Sequence, residues 1–253
     1  GFATAGTGRM TIPASGGITI GSLNIGHGAN GDEASTAVGR NALNSNASAT
    51  NAVRNTAIGD NTLTALSHDD ADDNTAVGYG SVDGLTDGIA NTGVGAYTLS
   101  ADCGDNNTAI GKSALNLFTG SNATAVGSGA ADSATTADGI TAVGISALQA
   151  LNHADGDNNT AIGAWSSDAL EGASSAGHSN TAVGAYSFSA SVDGSQNVAV
   201  GKSALHSGDC VDNNTAVGFE ALKAFTGSNA TAVGSGAADA AVSDLGITAV
   251  GKN

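Results

Sequence analysis

The chain has 253 residues, including 38 glycines and one proline; only 4% are aromatic and 12% charged, and the net charge is −16. So few large side chains exclude a thick globular core and favour repeats that each bury a thin apolar face against a neighbour. The seven basic residues (Arg9, Arg40, Arg54, Lys112, Lys202, Lys223 and Lys252) are scattered against 20 Asp and 3 Glu, which argues against nucleic acid and anionic membrane as partners.

Residues 1–34 differ from the rest. Met10-Thr11-Ile12-Pro13, the pair Gly16-Gly17 and the alternating run from Ile18 predict short strands that enter or cap a repeat region. Ile18-Thr19-Ile20-Gly21 and Leu23-Asn24-Ile25-Gly26 read as degenerate first copies of the repeat. The chain starts at Gly1 without Met, which suggests a processed or incomplete N-terminus. No apolar run approaches the roughly 18 residues of a membrane span, so no membrane insertion is expected.

Residues 35–253 repeat one sentence, N-T-A-[VI]-G-x-x-A-L, as in Asn107–Leu115 and Asn214–Leu222. Successive motif glycines, such as Gly95, Gly111, Gly127, Gly144, Gly163 and Gly184, are unevenly spaced, so the motif core is constant and the connector elastic. Asn107–Gly144 matches Asn214–Gly251, six repeats further on, which indicates a duplicated six-coil block. No helical periodicity survives three turns, whereas Thr-Ala-Val alternates with period two. The sequence therefore predicts an all-β parallel solenoid of about fourteen coils. Each would be closed by a glycine corner (Gly39, Gly59, Gly111, Gly163, Gly218) that permits positive φ. The Asn before each Thr suits a corner and can form a ladder with its copies.

Two faces make different demands. On this reading Thr and Val/Ile point inside with Leu, and the rank Ala37, Ala57, Ala109, Ala161, Ala216 points away. That rank never exceeds a methyl, which predicts close approach of another backbone at the axis of a homotrimer.

Catalytic signatures are missing: there is no G-x-S-x-G, no H-E-x-x-H and no framed phosphate loop, so no enzyme and no catalytic residue are expected. His27, His68, His153, His178 and His206 fall in or near connectors without metal-ligand spacing and read as solvated. Asp-rich connectors (Asp69, Asp70, Asp72 and Asp73; Asp102 and Asp105; Asp155 and Asp157; Asp209 and Asp212) could offer oxygen ligands to Ca²⁺, against the plainer reading of a solvated acidic edge. Neither a cofactor nor a metal is assigned. Cys103 and Cys210, one six-coil block apart, read as small buried or half-buried thiols too distant for a bond.

These repeats resemble the head repeats of trimeric autotransporter adhesins, whose coils carry an S-V-A-I-G core. They are still more similar to the N-T-A-[VI]-G-x-x-A-L repeats of bacteriophage tail fibres and related surface proteins. The lead-in Gly17–Gly28 is similar to that of such fibres, so the resemblance covers residues 17–253. It implies a left-handed parallel β-roll, homotrimeric, acting in attachment to a host or target-cell receptor from a virion tail fibre or an extracellular surface. Two departures stand out. The connectors are longer than in adhesin heads, and neither a chaperone nor an anchor domain is visible, which suggests a fragment or a matured product. The alternative function is an ice-binding or surface-adsorbing solenoid, motivated by the Thr rank but weakened if Thr points inside.

The receptor-facing candidates are Trp165, Asp168, Glu171 and His178. Trp165 is the only tryptophan, and the long connectors Gln149–Asn158 and Asp168–Ser179 flank its coil.

Overall fold

The structure, a computed structural model, describes residues 10–11, 18–20, 23–27, 34–44, 52–68, 70–151, 156–170, 177–191, 193–206, 211–243 and 246–253. Among them there are strands and turns and no helix. The chain divides into two compact units, Gly1–Ser113 and Ala114–Asn253.

The first unit opens with β1 (Met10–Thr11), β2 (Ile18–Ile20) and β3 (Leu23–Gly26), which pair antiparallel in sequence. β3 then pairs antiparallel with β4 (Thr36–Gly39), the first strand of the repeat. From there the direction stays constant: β4, β5 (Thr56–Ile58), β6 (Thr75–Val77), β7 (Thr92–Val94) and β8 (Thr108–Ile110) are successively parallel. The two early copies of the motif are thus antiparallel strands that lead into the stack, and the coils are fewer than the fourteen expected.

The second unit is parallel throughout. It comprises β9 (Thr124–Val126), β10 (Thr141–Val143), β11 (Thr160–Ile162), β12 (Thr181–Val183), β13 (Val198–Val200), β14 (Thr215–Val217), β15 (Thr231–Val233) and β16 (Thr248–Val250). Seven parallel pairings join them in order, and each sets Thr on Thr, Ala on Ala and Val on Val or Ile, apart from Val198 in the Thr rank. This is a parallel β-solenoid, and copies of one motif position form a rank along it.

The faces are the reverse of the expectation. Ala37, Ala57, Ala76 and Ala109 in the first unit, and Ala125 through Ala232 in the second, are 0% exposed within a single chain. Their flanking Thr and Val/Ile are half-buried or exposed. The Ala rank therefore lies inside its own coil, not at an axis between chains. Opposite it, the core is filled by the Leu of the motif and by large residues from the connectors: Leu66 and Leu85 in the first unit, Phe118, Leu151, Leu170 and Phe225 in the second.

The reason lies one residue before the strand. Strand alternation puts Asn and Ala on one side and Thr and Val on the other. A buried Asn is tolerated only if its amide is satisfied, and here it is. In the first unit Asn74, Asn91 and Asn107 each donate a backbone N–H to Oδ1 of the Asn one coil earlier, at 2.9 Å. In the second unit Asn180 and Asn197 do the same at 2.9 Å, and Nδ2 of Asn180 donates to the Gly194 carbonyl at 2.8 Å. The ladder holds Asn inside, and the parity of the strand carries Ala in with it.

The motif glycine is required twice over. Gly163 has φ +140°, and a Cβ there would lie 2.5 Å from the carbonyl oxygen of Gly184 in the next coil. No side chain fits such an approach, and the left-handed half of φ disfavours one independently.

Candidate functional site

Aligning the coils on the motif glycine turns scattered residues into ranks. The first and second residues after the glycine form a corner. In the second unit this corner is itself hydrogen-bonded from coil to coil: Trp165 N donates to Ile145 O at 2.9 Å, Tyr186 N to Ala164 O at 3.0 Å, Ser203 N to Ala185 O at 3.0 Å and Glu220 N to Lys202 O at 3.0 Å. The side chains on it are therefore held at one-coil steps of about 4.7 Å.

All five exposed aromatic side chains among the described residues occupy this corner: Tyr79 and Tyr97 in the first unit, Trp165, Tyr186 and Phe219 in the second. Four of the seven basic residues, Arg40, Lys112, Lys202 and Lys252, stand at its first position. Tyr79 and Tyr97 meet edge to face with ring centroids 5.2 Å apart. Tyr186 meets the His206 ring likewise at 5.8 Å, and His206 Nδ1 is hydrogen-bonded to Ser189 Oγ.

Of the receptor-facing candidates, Trp165 sits on the corner and is exposed. Asp168, in the same coil, is half-buried; its Oδ1 is shielded from solvent without a partner, and burial pushes its carboxyl up from the ordinary value. Glu171 lies outside the described residues. His178 sits on the corner before β12, where its backbone N–H meets Ser195 Oγ at 3.3 Å and its Nδ1 meets Ser179 Oγ at 3.3 Å. The run Asn–Thr–Ala–Val–Gly separates that corner from the one bearing Trp165, so the two candidates do not converge. Tyr186, Lys202, Phe219 and His206 carry no signal in the linear sequence, although registering the copies on their glycines places Tyr186 beside Trp165 and puts Lys202 and Phe219 on the corners of the two coils after that.

The acidic connectors already have work. In the first unit Asp72 Oδ1 accepts the Val53 N–H at 2.7 Å, and Asp102 accepts both the Thr86 N–H and its hydroxyl at 2.7 Å. In the second, Asp138 Oδ1 accepts from Ser121 N at 2.7 Å, Asp157 Oδ1 from Asp138 N at 2.7 Å and Asp212 Oδ1 from Ser195 N at 2.9 Å. These carboxylates tie each connector to the one before it, as Asx turns do within a chain. Among the described residues no group of three or more His, Cys, Asp or Glu is placed to hold a metal ion. Asp69, Asp155, Asp209 and His153 lie outside them. No helix among the described residues is long and apolar enough to cross a membrane.

Cys103 is buried, and burial pushes its thiol up to about 12, which makes it an inert core residue. Cys210 lies outside the described residues.

No family model matches the chain, and no curated protein or solved structure is significantly similar to it.

Proposed function

We propose that the chain is a structural segment of a homotrimeric attachment fibre, a left-handed solenoid carried on a virion tail or another extracellular surface, with a receptor on a target cell as its partner. The observation that carries this reading is the outward rank of Val and Ile. Ile58, Val94 and Ile110 in the first unit, and Ile162 and Val233 in the second, are each between 37% and 42% exposed in the single chain. Among the other members, Val77 in the first unit and Val126, Val143, Val183, Val200 and Val217 in the second are half-buried. A file of partly exposed apolar side chains is the kind of surface that marks an interface. On this reading the Thr/Val face, not the Ala rank, turns toward the three-fold axis. The acidic connectors then lie away from it, where salt screens three chains of −16 each.

The test is the solution mass. The native chain should run as three times its own mass, and Ile162→Asp together with Val200→Asp should lower that mass while leaving the strand signal in circular dichroism intact. A monomeric native chain would sink the trimer.

A second reading uses the same face. In the second unit the outward Thr and Val ranks, with Val198 in one Thr place, form an array with steps of about 4.7 Å along the stack and about 6.6 Å across it, the kind of regular array an ice-binding surface presents. Outward Thr removes the objection raised by the sequence. Thermal hysteresis in a monomeric preparation would favour this reading over the fibre, because the two uses of the face exclude each other.

A further inference from the structure

We propose that the corner strip Trp165–Tyr186–Lys202–Phe219 is a docking rail for an acidic saccharide, a chain of sugar rings carrying carboxylates. The proposal rests on the attachment reading and names the class of molecule that the fibre would grip. The four residues occupy the corners of the coils bearing β11, β12, β13 and β14, one per coil, Trp165 and Tyr186 at the second corner position and Lys202 and Phe219 at the first. Three coil steps span about 14 Å, the reach of a short oligosaccharide lying along the rail.

The fold does not ask for these residues. The second corner position is left-handed, with φ 57° at both Trp165 and Tyr186. Other coils of the second unit fill it with Gly129, Ser146, Ser203, Gly236, Asn253 and Glu220, whose carboxylate is paired with Lys223. Ser146, Ser203 and Glu220 take the same conformation, with φ between 52° and 57°, so the left-handed corner belongs to the fold and the choice of side chain on it does not. Each ring keeps part of its surface open to solvent: Trp165 is 36% and Tyr186 41% exposed. His206 braces the Tyr186 ring edge-on, and Ser189 holds His206 in turn. Side chains presented outward and fixed from behind suit a ligand that brings apolar faces to them.

Lys202 sets the charge of that ligand. It is exposed and has no ion pair among the described residues. A carboxylate on a sugar that stacks on Tyr186 or Phe219 would find its ammonium one coil away. The first unit holds the same order on successive coils: Tyr79, Tyr97 and then an exposed Lys112, again without an ion pair among the described residues. That copy is not the product of the six-coil duplication, which sets Lys112 against Phe219. A second copy of the chain is the weaker occupant: a stable protein interface needs roughly 800 Å² per partner, more than four side chains on a rail one residue wide can offer.

Trp165 is the only tryptophan, so its emission reports on the rail alone. The full chain is titrated with hexameric oligogalacturonate and, separately, with neutral maltohexaose. Solution mass and unfolding midpoint are recorded for the native chain, Tyr186→Ser and Lys202→Gln. The expected result is a saturable emission change with oligogalacturonate, weakened about tenfold by Tyr186→Ser. Lys202→Gln should remove most of the preference for the acidic probe, and neither variant should alter the mass or the midpoint. Three results overturn the proposal: no saturable change with either probe at millimolar concentration, equal affinity for both probes in the native chain, or emission that shifts with protein concentration in step with the mass, which would put a second copy on the rail. A trimeric mass without saccharide binding removes this inference and leaves the fibre standing; saccharide binding by a monomer removes the trimer and leaves the rail.

Discussion

The inner wall and the corner belong to the same coils, yet they obey opposite rules. In the second unit the inner position is Ala in all eight strands, and the glycine that ends each strand does not vary. Just past that glycine, the second corner position holds Gly, Ser, Trp, Tyr, Glu or Asn. Backbone hydrogen bonding from coil to coil is as regular at the corner as at the wall, so backbone order does not distinguish them. What differs is the room beside Cβ. At the wall the next backbone and the opposing Leu leave space for a methyl or for nothing; at the corner a short side chain such as Ser146 or Ser203 is covered, and a longer one such as Trp165 or Tyr186 has room to reach solvent. Constancy in this chain records close approach, and variation records freedom to recognise something.

Enlarging the wall should have the largest effect. Gly163→Val combines a disfavoured φ with a Cβ 2.5 Å from a carbonyl oxygen, and should cost at least about 3 kcal/mol in urea unfolding. Ala161→Trp should likewise disrupt the coil itself, with loss of the strand signal. If it instead left a folded monomer, the inner placement of Ala would be wrong. Removing a rung of the Asn ladder should come next. Asn180→Leu orphans the Asn197 N–H and the Gly194 carbonyl, at a cost of about 2 to 4 kcal/mol.

Acid should sharpen the contrast between buried and exposed carboxylates. Burial holds Asp83, Asp132 and Asp168 above the ordinary value of 3.8, so the folded state prefers them neutral. Their contribution to stability is complete below that value and is lost as pH rises through their raised folded values. The Arg40 and Arg54 guanidiniums act oppositely, holding Asp60 and Asp73 below 3.8 through hydrogen bonds and charge. That contribution is present above 3.8 and is lost as pH falls through the lowered values. The unfolding midpoint should therefore rise as pH drops from 7 toward 4 and level off beyond, because the exposed pairs that acid breaks contribute little. Asp132→Asn should raise the midpoint at pH 7 and flatten the slope; an unchanged slope would mean that burial of this carboxyl is not what the protein senses. The smallest effect belongs to the exposed pairs. Arg54→Gln should leave the midpoint unchanged within error at physiological salt, because solvent screens the ions it removes.

Much of the fold is legible in the sequence. The glycine period, the absence of helical spacing and the elastic connectors identify a parallel solenoid. The Asn before each Thr suits a corner with its copies laddered, and the ladder is there. The site is less legible. Trp165 stands out by rarity, but Asp168 and His178 stand out only by proximity in sequence to a long connector. In a solenoid, neighbours in space lie one full coil apart along the chain, so the corner after Trp165's is that of Tyr186, whose N–H meets the Ala164 carbonyl.

By itself the sequence determined the period, the strand at each Thr-Ala-Val and the need for glycine at each corner, because these follow from local geometry repeated many times. It could not determine which side of the strand is the inside. Alternation gives parity without sign, and hydropathy favours Val over Ala for burial. The decision is made between coils: the Asn amide reaches the next Asn only from within, and Leu and Phe from the connectors leave space opposite them for nothing larger than a methyl. Ala goes in, Val comes out, and the face on which the proposed functions turn is a consequence of stacking that no single repeat contains.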